Sequence, residues 1–426
     1  MNEPKEFLEF SRSMLLHCVL LYIGIWGGLL INVYIFVAVA GFTVLVSLFS
    51  ELDTAYYHLF FLLPFSVIFK LSPTSTSFFA YLIIATGVIL LLRKRYVRGD
   101  ALTLIVLFIA YTVFGVGNNY TTVAKMAFGL VLLYVFVSSV SPDHFKNHIV
   151  SFSLGTLGSS MIGTMKVSWD RLMAYFSDID YIYINGERSF RFSGLNYDPN
   201  YYAIGVIIAV FLCLRLLFNK EGNRLFLAAL IIPMIIFGFL SYSKMYLLSI
   251  LLLCIIFVLH RMKSVKQILL TVMGVSIIVM VFNSWANSSG YLTTIFERLT
   301  GDDISTGRFA IWRSYLDYIW NSPATLFFGD GLGASYYLPM GPHNGYIELI
   351  FFLGIFGGAL FVLTVTHIMN SIRYVEKRTF INRALIILFL LMIGTLGIVT
   401  VNDLMFYCML LWISLNMGEE KMACVT

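Results

Sequence analysis

The stretch Trp285–Asn344 reads WANSSGYLTTIFERLTGDDISTGRFAIWRSYLDYIWNSPATLFFGDGLGASYYLPMGPHN, the longest run of the chain without a membrane-grade apolar window. It holds Glu297, Arg298, Asp302, Asp303, the tripeptide Thr306-Gly307-Arg308, Trp312-Arg313, Gly329-Asp330-Gly331-Leu332-Gly333 and Pro342-His343-Asn344. Directly after it, residues 345–365 read GYIELIFFLGIFGGALFVLTV, apolar but for Glu348. A helix that crosses a bilayer needs about 20 apolar residues, so Asn344 marks the passage from a polar loop into a span. The same alternation of apolar span and charged turn runs through the rest of the chain. It predicts an all-α integral membrane protein, a single membrane domain over 1–426, with one large external loop containing an amphipathic helix.

Composition supports this. Of 426 residues, 59% are hydrophobic and 12% are charged, with a mean hydropathy of +0.86. Soluble domains carry roughly 25% charged residues, so there are too few here to cover a water-exposed surface. The 38 Phe and 25 Tyr fit the aromatic belts of bilayer interfaces. The net charge of +5 is spread over loops, where topology accounts for it, and no nucleic-acid partner is expected. Cys18, Cys213, Cys254, Cys408 and Cys424 form no CxxC pair, and four of them lie in apolar runs. They read as inert thiols, with no disulfide framework and no zinc site. The first twelve residues carry Glu3, Lys5, Glu6, Glu9 and Arg12. That is not a basic leader, so the first apolar run is expected to stay as a span.

Candidate spans fall at 14–30, 33–49, 56–71, 76–92, 101–117, 121–140, 147–165, 201–218, 225–240, 243–260, 267–283, 345–368, 383–401 and 403–417, a bundle of about 12–14 crossings. The run 56–71 contains Pro64 and Lys70 and also fits a half-span. Basic turns occur at Arg93-Lys94-Arg95 with Arg98, at Arg215, Lys220 and Arg224, at Arg261, Lys263 and Lys266, and at Arg373, Lys377, Arg378 and Arg383. With these spans all four turns lie on one side, the cytoplasmic side by the positive-inside rule. Residues 166–200 and 284–344 then share the external face and form its chemistry-bearing loops.

Within the long loop, Thr306 is expected as an N-cap and Asn321-Ser322-Pro323 as a stop. Phe309, Arg313, Leu316 and Trp320 share one face at helical spacing, and Ile311, Tyr315 and Tyr318 another. A helix at the membrane surface and a lid over the bundle both fit this pattern.

The segment 191–200, RFSGLNYDPN, ends the first external loop at the membrane edge. There Asp198 and Pro199 suit the cap and first position of a helix. Lys166, Arg171, Arg188 and Arg191 run against the orientation bias, and Arg191 stands closest to the turn-forming residues. Ser241-Tyr242-Ser243-Lys244 forms a very short external turn, where Lys244 reads as a headgroup anchor or as an anion ligand. Arg308, at a helix start, has the rigid donor fork that suits phosphate oxygens, or is an ordinary surface arginine. His343, where the loop re-enters the membrane, titrates near neutral pH. His17, His260 and His367 read as structural, and His144 and His148 as part of a cytoplasmic turn. Gly329–Gly333 lacks the strand–turn–helix setting of a nucleotide site and reads as a flexible turn.

RFSGLNYDPN (191–200), SYSK (241–244), TGRFAIW (306–312), FFGDGLG (327–333) and HNGYIELIFFLGIFGG (343–358), in this order, resemble the O-antigen ligase and O-antigen or capsular polysaccharide polymerase superfamily of bacteria (Wzy-type). The resemblance covers roughly residues 180–370. It implies a GT-C-type membrane fold in the cytoplasmic (inner) membrane. It also implies transfer of sugar chains from a polyprenyl diphosphate, such as undecaprenyl diphosphate, to an acceptor hydroxyl on the external or periplasmic face. No nucleotide sugar, cofactor or metal is expected. By the same resemblance Arg191 and Arg308 hold the diphosphate and His343 activates the acceptor hydroxyl. Lys244 stands where the family often has arginine. Asp198, Asn200, Arg313 and Asn344, beside them in the motifs, are expected substrate contacts.

The expected activity is polymerisation of lipid-linked oligosaccharide repeat units, with transfer to lipid A-core or another acceptor as the alternative. Expected partners are the polyprenyl-diphosphate-linked oligosaccharide, the lipid bilayer, a chain-length regulator and a flippase. A flippase activity for this chain itself is disfavoured, because polar residues cluster at one face instead of running through the spans.

Overall fold

The structure, a computed structural model, describes residues 11–72, 75, 77–93, 99–114, 120–139, 142–165, 181–184, 187–196, 198–261, 307–332, 334, 337–339, 341–370, 390 and 392–394. Its helices are α1 (Arg12–Leu30), α2 (Tyr34–Phe49), α3 (Leu52–Leu62), α4 (Phe79–Arg93), α5 (Gly99–Val113), α6 (Tyr120–Ser139), α7 (Pro142–Gly163), α8 (Pro199–Asn219), α9 (Arg224–Phe239), α10 (Lys244–Arg261), α11 (Arg308–Asn321), α12 (Pro323–Phe328) and α13 (Gly345–Asn370). Every expected span that falls on described residues is helical. The spans 267–283 and 403–417, most of 383–401, and Glu297, Arg298, Asp302, Asp303 and Thr306 lie outside the described residues. Three of the helices, Arg12–Leu30, Pro199–Phe218 and Gly345–Met369, are long and apolar enough to cross a membrane by length and composition. Most of the others are apolar but shorter.

Two departures from the all-α expectation have local causes. Pro64 cannot donate in a helix and crowds the carbonyl four residues back. The helix therefore ends at Leu62 and continues as a 3-10 turn, Leu63–Ile68. Before α8 the chain forms a two-stranded antiparallel hairpin, β1 (Tyr181–Ile184) and β2 (Glu187–Phe190), with Tyr181 opposite Phe190. This hairpin delivers Arg191.

The bundle is organised around α8, which is buried on nearly all sides, whereas α1 and α13 keep exposed apolar flanks. A helix that is apolar all round belongs in a core, and YYAIGVIIAVFLCL (201–214) is such a sequence. It packs on α7, α9 and α10, while α3 packs on α7, α4 on α6 and α12 on α13.

The two ends of α8 differ. Near its C-terminal end, Arg215 lies over the Phe145 ring at 5.8 Å. On that side His144 Nδ1 meets Asp53 Oδ2 at 2.7 Å, and His148, on the same helix face, lies 3.5 Å from Asp53 Oδ1. His144 and His148 thus belong to helix α7, not to a turn. His17 pairs with His58 at 2.7 Å inside the bundle, which fits a structural role. The opposite end, around Asp198, carries the candidate site.

Candidate active site

Arg191 is placed by the segments around it. Gly194, with φ 57°, lets the chain turn backbone-to-backbone against Gly163 at the end of α7. A Cβ on Gly163 would overlap the Gly194 backbone, and one on Gly194 would run into the Tyr202 ring. Leu195 N–H then donates to Ser159 Oγ at 3.3 Å, and Ser160 Oγ and Tyr202 Oη share a hydrogen bond of 2.6 Å. Phe192 N–H donates to Leu240 O at 3.1 Å, which brings Arg191 beside the Ser241–Lys244 turn.

There the Arg191 side chain, 4% exposed, is held by two groups. Its Nε donates to Ser241 O at 3.0 Å and its Nη2 to Asn200 Oδ1 at 2.9 Å. Asn200 Oδ1 also accepts from Ser243 Oγ at 3.1 Å. A buried cation is tolerated only where its donors are satisfied, and the SYS turn and Asn200 supply those acceptors. Tyr242, between the two serines, takes φ 51°.

Asp198 caps α8, with Oδ1 accepting from Asn200 N–H at 2.6 Å and Pro199 at the first turn, as the sequence implies. Arg308 opens α11. The N-cap is Gly307 at φ 81°, one residue after the expected Thr306. Burial lowers the pKa of Arg308 from its usual value; Asp198 opposes this, Arg191 adds to it and Tyr201 opposes it. Burial also lowers the pKa of His343; Arg308 adds to this and Asp198 opposes it. Arg308 thus lies within electrostatic reach of Asp198, Arg191 and His343, and His343 within reach of Asp198.

His343 is pinned from both sides. Trp312 Nε1 donates to Pro342 O at 2.7 Å, and Asn344 Oδ1 caps α13, accepting from Tyr346 N–H at 3.0 Å and Ile347 N–H at 3.2 Å. His343 itself takes φ 47°, a left-handed conformation that costs a non-glycine residue about 1–3 kcal/mol. Among the described residues, the non-glycine positions with positive φ are Lys220, Tyr242 and His343, and two of these belong to this site. Strain of this kind concentrates at functional sites.

The N-terminal ends of α8, α10, α11 and α13 therefore gather at one place. Each helix N-terminus carries a positive partial charge. With two guanidinium groups, one carboxylate and a neutral imidazole added, the site is built for a multiply charged anion beside a group that accepts a proton.

The structure brings together Arg191, Arg308, His343, Asp198 and Asn200, with Lys244, half-buried, opening α10 directly after Ser243. It separates Arg313, which is 87% exposed and faces Asp317 at 4.0 Å. Five positions along a 3.6-residue helix turn Arg313 well away from the side that carries Arg308. Asn200 Oδ1, Asn344 Oδ1 and Asp198 Oδ1 accept hydrogen bonds within the protein. Ser241 and Ser243 touch the Arg191–Asn200 pair; a tight Ser-x-Ser turn facing RFSGLNYDPN is the signal that marks them.

The flexible turn expected at 329–333 is corrected over Gly329–Leu332; Gly333 lies outside the described residues. The described segment is docked, not flexible: Asp330 N–H donates to Phe351 O at 2.8 Å and Gly331 N–H to Phe352 O at 3.0 Å. The Asp330 carboxylate accepts from Tyr318 Oη at 2.9 Å and Thr325 Oγ1 at 2.6 Å. The acceptor carbonyls are freed by a break in α13 at Gly354 (φ 64°, ψ −178°). This docking fixes α12 on α13, and with it the frame of α11.

Residues 201–362 match the family described as O-antigen ligase. No curated protein and no solved structure matches the chain.

Proposed function

We propose that the chain is a polysaccharide polymerase, a reading supported by the match of residues 201–362 to the family described as O-antigen ligase. It transfers an oligosaccharide chain from a polyprenyl-diphosphate carrier to a sugar hydroxyl of another lipid-linked repeat unit. The observation that carries this reading is the clustering of Arg308 with Arg191, Asp198 and His343 where several helix N-termini gather.

In the proposed reaction the acceptor hydroxyl oxygen attacks the anomeric carbon of the donor. The bond from that carbon to the phosphate oxygen breaks, and the diphosphate leaves with the electron pair. Arg191 and Arg308 stabilise the charge that develops on it, as preorganised cations do best. His343 takes the hydroxyl proton; its lowered pKa keeps the imidazole neutral and able to accept near neutral pH. General-base assistance of this kind contributes roughly 10²–10⁴-fold in rate. No metal takes part in this scheme. Asp198 balances the cations and holds α8, and Lys244 adds positive charge at the rim.

We assign the chain to the bacterial cytoplasmic membrane as a multi-pass GT-C-like bundle of about 12–14 crossings, with this site on the external face. A flippase that supplies the carrier and a chain-length regulator are its proposed partners. The second reading is a ligase that transfers the finished glycan to lipid A-core or another acceptor.

The test uses purified protein with a polyprenyl-diphosphate-linked repeat unit as the sole substrate and a chelator present. A product ladder establishes a polymerase that needs no metal. Transfer only after a separate acceptor is added establishes the ligase and removes the polymerase reading.

A further inference from the structure

Helix α11 has three sectors, and only one is explained by packing. Tyr315 and Ile319 are buried, with the Tyr315 ring 5.3 Å from that of Phe351 on α13. On the outer side lies an apolar stripe, Phe309 at 66%, Leu316 at 49% and Trp320 at 77% exposure. Arg313, at the edge of that same face, and Asp317 beyond it are also exposed and form the stripe's polar border. A helix in water would be polar over its whole outer surface. A lid would bury the Phe309–Trp320 stripe.

The apolar stripe has a continuation. Phe327 and Phe328 of α12 are exposed, and their rings lie 5.6 and 5.5 Å from Phe356 of α13. Phe356 is itself exposed, with Ile355, Val362 and Leu363, on a helix long and apolar enough to cross the membrane. The outer apolar surface of α13 thus passes through α12 towards the α11 stripe. On α13 that surface faces lipid acyl chains, and the same solvent is what its continuation suits.

We infer that α11 and α12 form an interfacial element, with Phe309, Leu316, Trp320, Phe327 and Phe328 seated in the bilayer leaflet next to the candidate site. The Arg313–Asp317 strip faces headgroups and water. Interfacial helices with aromatic anchors sit about 5–10 Å into the headgroup–acyl boundary. Arg308 is the first residue of α11, so the anchored helix sets its depth. That depth is where the diphosphate of a lipid carrier lies; this last step rests on the proposed function.

The test is fluorescence quenching of the full-length protein reconstituted in vesicles of phosphatidylcholine brominated on its acyl chains, compared with the Trp320→Phe variant. The wild-type-minus-variant emission isolates Trp320. The inference predicts that this component loses most of its intensity in lipid brominated near the headgroup. It also predicts less loss in lipid brominated near the chain end, and little in aqueous iodide. Quenching by iodide without bromolipid quenching overturns the inference by placing α11 in water. Shielding from both quenchers overturns it by placing a second copy over the stripe. The readout is independent of sugar transfer, so an inactive protein with this quenching pattern would remove the proposed function and leave the interfacial placement standing.

Discussion

Asn200 Oδ1 accepts a hydrogen bond from Arg191 Nη2 at 2.9 Å, nine residues away across the start of α8. The same oxygen accepts from Ser243 Oγ, so one amide ties the hairpin exit, the start of α8 and the SYS turn to a buried cation. Asn200→Ala removes that acceptor. Hydrogen bonds to charged groups contribute about 1.5–3 kcal/mol. A loss near the lower bound corresponds to a rise of about tenfold in KM for the lipid-linked donor, since 1.4 kcal/mol is a factor of ten. Steady-state kinetics on the purified variant check this. An unchanged KM would show that Arg191 keeps its pose without Asn200.

Asp198 acts on two neighbours in opposite senses. It favours the charged form of Arg308, and it raises a His343 pKa that burial and Arg308 lower from the ordinary 6.5. As a base, His343 works only when neutral, so activity falls as pH drops through its pKa, below 6.5. Removing the Asp198 charge removes a raising influence. Asp198→Asn, which keeps an N-cap for α8, is therefore predicted to move the acid limb of the kcat/KM profile to lower pH. An unmoved limb, or one moved to higher pH, would contradict the coupling.

His343 carries strain that a glycine would release. Left-handed backbone costs non-glycine residues roughly 1–2 kcal/mol, while glycine adds unfolded-state entropy of about 0.4–1 kcal/mol. His343→Gly is predicted to be more stable than His343→Ala by up to about 1 kcal/mol, with transfer lost in both. Thermal unfolding in detergent compares the two; a higher Tm for the alanine variant would argue against strain at this position.

Gly354 takes φ 64° and ψ −178°, a combination essentially restricted to glycine. A Cβ there would run into the backbone of Phe327 and Phe328. Backbone strain and backbone overlap together make Gly354→Ala destabilising by several kcal/mol, on the order of the worst single substitutions. Size-exclusion of a fluorescent fusion would show loss of the monodisperse peak. A normal peak would mean that α12 does not need this break.

Hydropathy located the helices over the described residues because apolar runs and charged turns are long compared with a helical turn. It was blind where one residue breaks the pattern. Gly354 lies in an uninterrupted apolar run, FFLGIFGG, so nothing in composition announces the break that frees the Phe351 and Phe352 carbonyls for Gly329–Leu332. Arg191, Arg308 and His343 stood out because charge and turn residues at a span boundary are informative. The Ser-x-Ser turn and Asn200 were visible in the sequence, but their role in holding Arg191 lies in contacts between segments some 40 residues apart. Arg313 stands apart from the cluster because proximity to Arg308 in sequence is not proximity on a helix.

The most direct test of the account measures donor binding and sugar transfer separately for the wild type, Arg308→Ala and His343→Ala, each purified as folded protein. His343→Ala is predicted to bind the polyprenyl-diphosphate donor as the wild type does but to lose transfer by about 10²-fold or more, on the order of a missing general base. Arg308→Ala is predicted to lose both donor binding and transfer. Wild-type turnover in His343→Ala, or undiminished donor binding in Arg308→Ala, would contradict the account.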